Sequence, residues 1–166
     1  IHTSHGFFST QKDFDQSPWL FNTLSGTLNL APPGGEVEYE PGKFFTHGPN
    51  WHWETQPHDP ADMLTQVCGT LYDYEAGCPR WDKFLLRVQP DPEVRDWLQR
   101  LVGYAMIGNQ AEHLFTVLWG KGANGKSTFV EVVGALFGDY DTVAEKSLFK
   151  AMPFDQHPAD RADLRG

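Results

Sequence analysis

Apolar residues recur at helical spacing in three stretches of the chain and run unbroken through a fourth. The clearest helical stripe follows Asp91-Pro92-Glu93, where Asp91 is placed to cap and Pro92 to occupy the first helical position. Val94, Trp97, Leu98, Leu101, Val102, Ala105 and Met106 then fall on one face, and Gly108-Asn109 ends the element. Cys78-Pro79 opens a shorter helix with Trp81, Phe84 and Leu85 on one face. A third helix is predicted from about Lys126 to Phe137, carrying Phe129, Val132, Val133 and Leu136 inward. Gly138 supplies the left-handed residue that stops it. Pro60–Val67 predicts a short helix as well, with Asp59 as its cap and Pro60 at its first position. The unbroken run is Leu114–Trp119 (LFTVLW), the pattern of a buried parallel strand.

The first sixty residues are poorer in pattern. Thr27–Leu30 alternates briefly as a strand and is stopped by Pro32-Pro33-Gly34-Gly35. Glu36–Glu40 and Lys43–His47 flank Pro41-Gly42 as a candidate hairpin, residues 50–60 read as irregular, and the tail beyond Asp139 carries little regular signal. A boundary near residues 108–113 is expected. It separates a mixed region, 1–110, from the start of a strand–loop–helix unit, 111–166. The fold class is therefore α/β, a mixed α+β part followed by the first strand, loop and helix of a second unit.

Six Trp and twelve Phe give the chain ample core material. No apolar run approaches the roughly 20 residues of a membrane span, and the N-terminus has no signal-peptide pattern. Neither end has the look of a natural terminus, so a fragment is expected. Cys68 and Cys78 form no zinc spacing, and so few cysteines fit a reducing cytosol better than a disulfide between them. The seven histidines form no ligand spacing, and no protein-held metal site is assigned. The formal net charge of −9 bears on partners, because a nucleic-acid surface should be basic. If the whole protein handles DNA, its contacts are expected elsewhere or in a narrow patch.

The chemistry sits at Gly120-Lys121-Gly122-Ala123-Asn124-Gly125-Lys126-Ser127, which satisfies G-x-x-x-x-G-K-[ST] at every fixed position. Glycines at 120, 122 and 125 permit backbone angles that turn successive N–H groups inward around an anion. The helix beginning at Lys126 adds its N-terminal partial charge. Lys126 can reach the β- and γ-phosphates, the Ser127 hydroxyl can enter a Mg²⁺ shell, and Thr128 offers a second hydroxyl. The predicted strand before the motif and helix after it supply the context the motif requires. ATP with Mg²⁺ is the expected ligand. Lys121 reads equally as a phosphate contact or a solvated loop lysine. Asn124 either orients a γ-phosphate or water, or tolerates a left-handed backbone.

Hydrolysis needs more: an acidic residue on a neighbouring strand and a group that positions water. No apolar strand ending in Asp or Glu follows residue 137. Asp139, Asp141, Glu145, Asp155, Asp160 and Asp163 all read as solvated surface. The catalytic residues are left unassigned.

Several segments together resemble the phage and plasmid primase–helicases, a family that includes the poxvirus-type primase. Tyr72-Asp73-Tyr74-Glu75-Ala76-Gly77-Cys78-Pro79-Arg80-Trp81 with Phe84-Leu85 resembles its Y-D-x-x-A-x-C-P segment. Leu98-Gln99-Arg100-Leu101-Val102-Gly103-Tyr104 through Gly108 is similar to its LQ-x-x-x-GY helix, and Gly120–Phe129 to its G-x-G-x-NGKST-F loop. His157-Pro158-Ala159-Asp160 through Gly166 resembles the stretch before its second acidic motif. Asn22–Leu30 matches more loosely, with Ser25 and Asn29 departing from the pattern, so no role is carried onto them.

The resemblance implies a superfamily 3 helicase, an ATP-driven and usually hexameric motor that unwinds DNA in phage or plasmid replication, in the cytoplasm of a bacterial host. Residues 1–110 would be the helicase-associated domain, and 111–166 the beginning of an AAA+-like ATPase core truncated before Walker B. The magnesium-holding acidic pair, polar sensor, arginine finger and DNA-contacting hairpin would follow Gly166. Two rival readings stand beside it: a non-catalytic nucleotide-binding or assembly module, and a small-molecule kinase using the same loop. The helical spacing of Trp81, Phe84, Trp97 and Tyr104 favours a hydrophobic core over base stacking. Trp51 and Trp53 are left between packing and a partner surface, and Arg161 and Arg165 are read as surface residues.

Overall fold

A computed structural model describes residues 10–31, 53, 55–108 and 112–145. The expected hairpin at 36–47, Trp51, Arg161 and Arg165 lie outside the described residues.

Leu20–Thr23 (β1) and Gly26–Asn29 (β2) form an antiparallel hairpin in the register Leu20↔Asn29 to Thr23↔Gly26. The two-residue turn is fixed by Thr23, whose hydroxyl donates to Gly26 O at 2.7 Å and accepts from Ser25 N at 3.2 Å. Thr55–Gln56 (β3) pairs on the other edge of β2, giving the order β1-β2-β3. The free side of β1 is satisfied by residues 66–70. Cys68 N donates to Asn22 O at 2.9 Å, Leu24 N to Thr70 O at 3.1 Å, and Asn22 Nδ2 to Gln66 O at 3.1 Å. Such pairing matters because buried backbone groups without partners are costly.

Three α-helices follow: Pro79–Val88 (α1), Pro92–Ala105 (α2) and Lys126–Phe137 (α3). Asp91 caps α2 as its sequence implies, accepting from Glu93 N at 2.9 Å. Arg95 clamps the α1–α2 turn by donating to the carbonyls of Gln89 and Pro90. The end of α2 returns to the hairpin through Gly108 N to Pro18 O, 2.9 Å.

The core joins the sheet to the far end of α3. Phe21, Leu28, Leu30, Cys68 and Phe137 are its buried members, with Trp53, Tyr72, Val102, Met106, Val133 and Tyr140 packed around them. Phe137 meets Phe21 edge-on at 5.8 Å, and Tyr140 stacks on the same ring at 4.6 Å. The Tyr140 hydroxyl accepts from Asn22 N at 3.0 Å and donates to Gln66 O at 3.3 Å. Burial pushes that hydroxyl up from the usual phenol range, against the Asn22 N–H that favours the ionised form. Gly69 N donates to Leu136 O, while Asp139 and Val67 exchange two bonds, one through the Asp139 carboxylate. Asp139 is thus a structural tie rather than the merely solvated carboxylate expected. Gly138 has φ 57°, the left-handed stop that its position predicts.

Four expectations are corrected. Pro60–Val67 is not a helix beyond a single 3-10 turn at Pro60–Asp62, because Met63 turns left-handed (φ 53°). Asp15 then captures the following chain, accepting from Thr65 N at 2.8 Å and donating its own N–H to Met63 O. Asp59 does cap that turn, accepting from Ala61 N. On α3 the inward face is Phe129, Val133 and Phe137, whereas Val132 and Leu136 are exposed. On α2, Trp97 is 42% exposed. Finally, Leu114–Trp119 forms no regular element and pairs with no strand among the described residues, with Phe115 73% and Trp119 92% exposed. A parallel strand is buried only by neighbours on both edges, and the described residues place none there. Both cysteines are free, Cys68 buried and Cys78 exposed.

Candidate phosphate-binding site

Residues 120–125 form the turn between the irregular segment 114–119 and α3. Its backbone passes through positive φ at Gly120 (157°), Ala123 (59°) and Gly125 (83°). Gly122, expected to need such freedom, lies outside that region, and Ala123 enters it instead. Asn124 is not left-handed either, which removes one of its two readings.

The first helical bond of α3 runs from Phe129 N to Gly125 O at 2.9 Å. The N–H groups of Lys126, Ser127 and Thr128 therefore have no acceptor within the helix and face the turn with the positive end of its dipole. α1 holds this helix start in place. Trp81 stacks on Phe84 at 5.3 Å and on Phe129 at 5.7 Å, and Phe84 and Val88 lie directly against Gly125. Trp81 and Phe84 are packing residues, as their spacing implies. The sequence does not reveal that the surface they pack against is the start of α3.

The ammonium of Lys126 folds back over the turn. It donates to Asn124 Oδ1 at 2.6 Å, Gly120 O at 3.1 Å and Lys121 O at 3.3 Å. Lys121 contributes its carbonyl here, while its side chain, like Gly122, Ala123, Ser127 and Thr128, is exposed. The structure thus gathers Gly120, Lys121, Asn124 and Lys126 into one hydrogen-bonded unit, with Gly125 accepting from the helix and the Ser127 and Thr128 hydroxyls on the next turn of chain. Among the described residues no group of three or more His, Cys, Asp or Glu could hold a metal ion. An open cleft of about 410 Å³ adjoins the turn, walled by α1, α2 and the apolar segment 114–119, with Trp97 and Lys126 at its sides.

The rest of the molecule defines the class: a small mixed α/β unit in which a three-stranded sheet and three helices carry a glycine-rich turn at a helix start. Residues 2–90 match the family described as D5 N terminal like, which is more than half of the chain. The chain belongs to this family, that of the D5-type primase–helicases, as the resemblance of its motifs implies. A protein of Acanthamoeba polyphaga mimivirus named as a helicase is 30% identical over 96 residues, covering 46% of this chain. The chain spans about a tenth (10%) of that relative's length. No solved structure matches the chain. Among the described residues no helix is long and apolar enough to cross a membrane.

Proposed function

We propose that the turn at 120–128 is a Walker A loop that takes the phosphates of Mg-ATP, and that the chain is the helicase-associated and ATP-binding part of a D5-type primase–helicase. The observation that carries this reading is Lys126, drawn over the loop carbonyls at the positive end of α3. A lysine ammonium gathered with free helix-terminal N–H groups is an anion site, and the family membership supplies a nucleotide-driven context.

In this reading the backbone of Gly120, Lys121, Gly122, Ala123, Asn124 and Gly125 cradles phosphate oxygens. Lys126 pairs with the β- and γ-phosphates, Ser127 ligates Mg²⁺ and Thr128 supports the α-phosphate. Residues 1–110 form the helicase-associated part and 111–166 the beginning of the ATPase core. The full protein is an ATP-dependent DNA helicase that assembles as a homo-oligomer. DNA is contacted by its other regions, since this chain carries a net charge of −9.

Calorimetry with Mg-ATP tests the reading. The chain is expected to bind saturably, and Lys126→Ala to weaken binding by about tenfold to a hundredfold, the worth of a charge-assisted phosphate contact. Adenosine without phosphates should bind neither protein. Equal Mg-ATP affinity in the chain and in Lys126→Ala would remove the loop as the site.

A further inference from the structure

The ammonium of Lys126 has three donors, and three acceptors within the loop engage them. Two of the acceptors are loop carbonyls. The third and closest, at 2.6 Å, is the Asn124 side-chain oxygen. The other end of the same amide lies over the first glycine of the loop: a Cβ on Gly120 would sit 2.3 Å from Asn124 Nδ2 and 3.6 Å from Lys126 Nζ. The Asn124 side chain therefore spans the loop from its first residue to its lysine and occupies the space above both. A phosphate that pairs with Lys126 competes with this amide for the ammonium.

We infer that Asn124 is a latch on Lys126, its amide holding the ammonium inward over the loop in competition with an anion. The inference deepens the nucleotide reading and rests on it for the binding measurement, while the state of Lys126 in the free protein can be read without any nucleotide. It reverses the simplest expectation for a polar residue in such a loop. If the amide competes with phosphate for the ammonium, removing it raises the fraction of chains ready to bind. If the amide were a phosphate ligand, removing it would weaken binding.

The test compares the chain with Asn124→Ala and Asn124→Asp. Lys126 is labelled by an amine-reactive ester and followed by peptide mass spectrometry, with Lys83 on α1 as internal control. In Asn124→Ala, Lys126 should label about fivefold faster, the effect of losing one exposed hydrogen bond of ordinary net strength, while Lys83 is unchanged. Asn124→Asp keeps the acceptor oxygen and should label no faster than the parent chain. Calorimetry with Mg-ATP should show Asn124→Ala binding a few times tighter.

Equal Lys126 labelling in the parent chain and Asn124→Ala overturns the latch, as does weaker Mg-ATP binding by Asn124→Ala. Absence of Mg-ATP binding in both proteins overturns the nucleotide reading instead, and the labelling ratio still decides the latch. Faster labelling of Lys83 alongside Lys126 would mark general loosening and also count against it.

Discussion

Phe137→Ala is expected to lower the free energy of unfolding by about 3 to 5 kcal/mol, the range for emptying a buried aromatic site. Phe137 is the only buried residue of α3, 9% exposed, and its ring meets Phe21 of β1 at 5.8 Å. Little around it can collapse into the gap. Leu28 is fixed in β2, Tyr140 is held at its hydroxyl by Asn22 and Gln66, and Cys68 by its N–H to Asn22. The helix that begins at the phosphate loop is thus anchored at its opposite end by the sheet. Denaturant unfolding should show a single transition with a lowered midpoint and unchanged slope. A loss below about 1 kcal/mol, the level of an ordinary surface change, would mean that α3 is not seated on the sheet in solution.

That anchoring is what the sequence conceals. The helical stripes of α1, α2 and α3, the Asp91 cap and the Gly138 stop are all local signals, and local signals can be read from a single sequence. β1 could not be. Of its two inward positions one is Phe21 and the other Thr23, and its partner strand buries Thr27 as well. These threonines are affordable inside only because their hydroxyls find Gly26 O and Asn22 Oδ1, contacts that exist after folding. A hydropathy pattern therefore scores them as surface. The same limit applies to α3, where local amphipathicity selected Phe129 and Val133 correctly but also Val132 and Leu136, whereas the tertiary contacts with Trp81 and Phe21 set the buried line along Phe129, Val133 and Phe137.

Leu114–Trp119 shows the converse limit. Its composition is that of a buried strand, yet burial is a property of neighbours, and the described residues place none beside it. The candidate site was legible where a motif fixes residue types at fixed spacing, and opaque where function depends on a rotamer. The spacing identifies Lys126 as the phosphate lysine of the proposed loop. It does not tell that Asn124, two residues earlier, is the group that ammonium touches first. Nor does it tell that Phe84 and Val88, some forty residues upstream, form the wall behind Gly125.

That wall leads to the second large effect, a contrast between two glycines of one loop. Gly125→Ala is expected to destabilise the chain by about 2 to 4 kcal/mol, from a left-handed backbone penalty added to overpacking. Gly125 has φ 83°, and a Cβ there would lie 2.7 Å from Val88 Cγ1 and 3.1 Å from the Phe84 ring. Relief requires α1 to move away from the start of α3, which separates Trp81 from Phe129. Gly122→Ala should stay within about 0.5 kcal/mol, as for an unconstrained surface position. Its φ lies outside the left-handed region and no heavy atom stands within 4 Å of the added carbon. Denaturation of the two variants side by side, followed by tryptophan emission, reads the difference directly. Equal stability losses would show that the loop is held by its glycines alone. A loss at Gly125→Ala beyond the roughly 1–2 kcal/mol of the left-handed backbone alone would show that α1 supports the loop, which makes the D5-type N-terminal part and the glycine-rich turn a single mechanical unit.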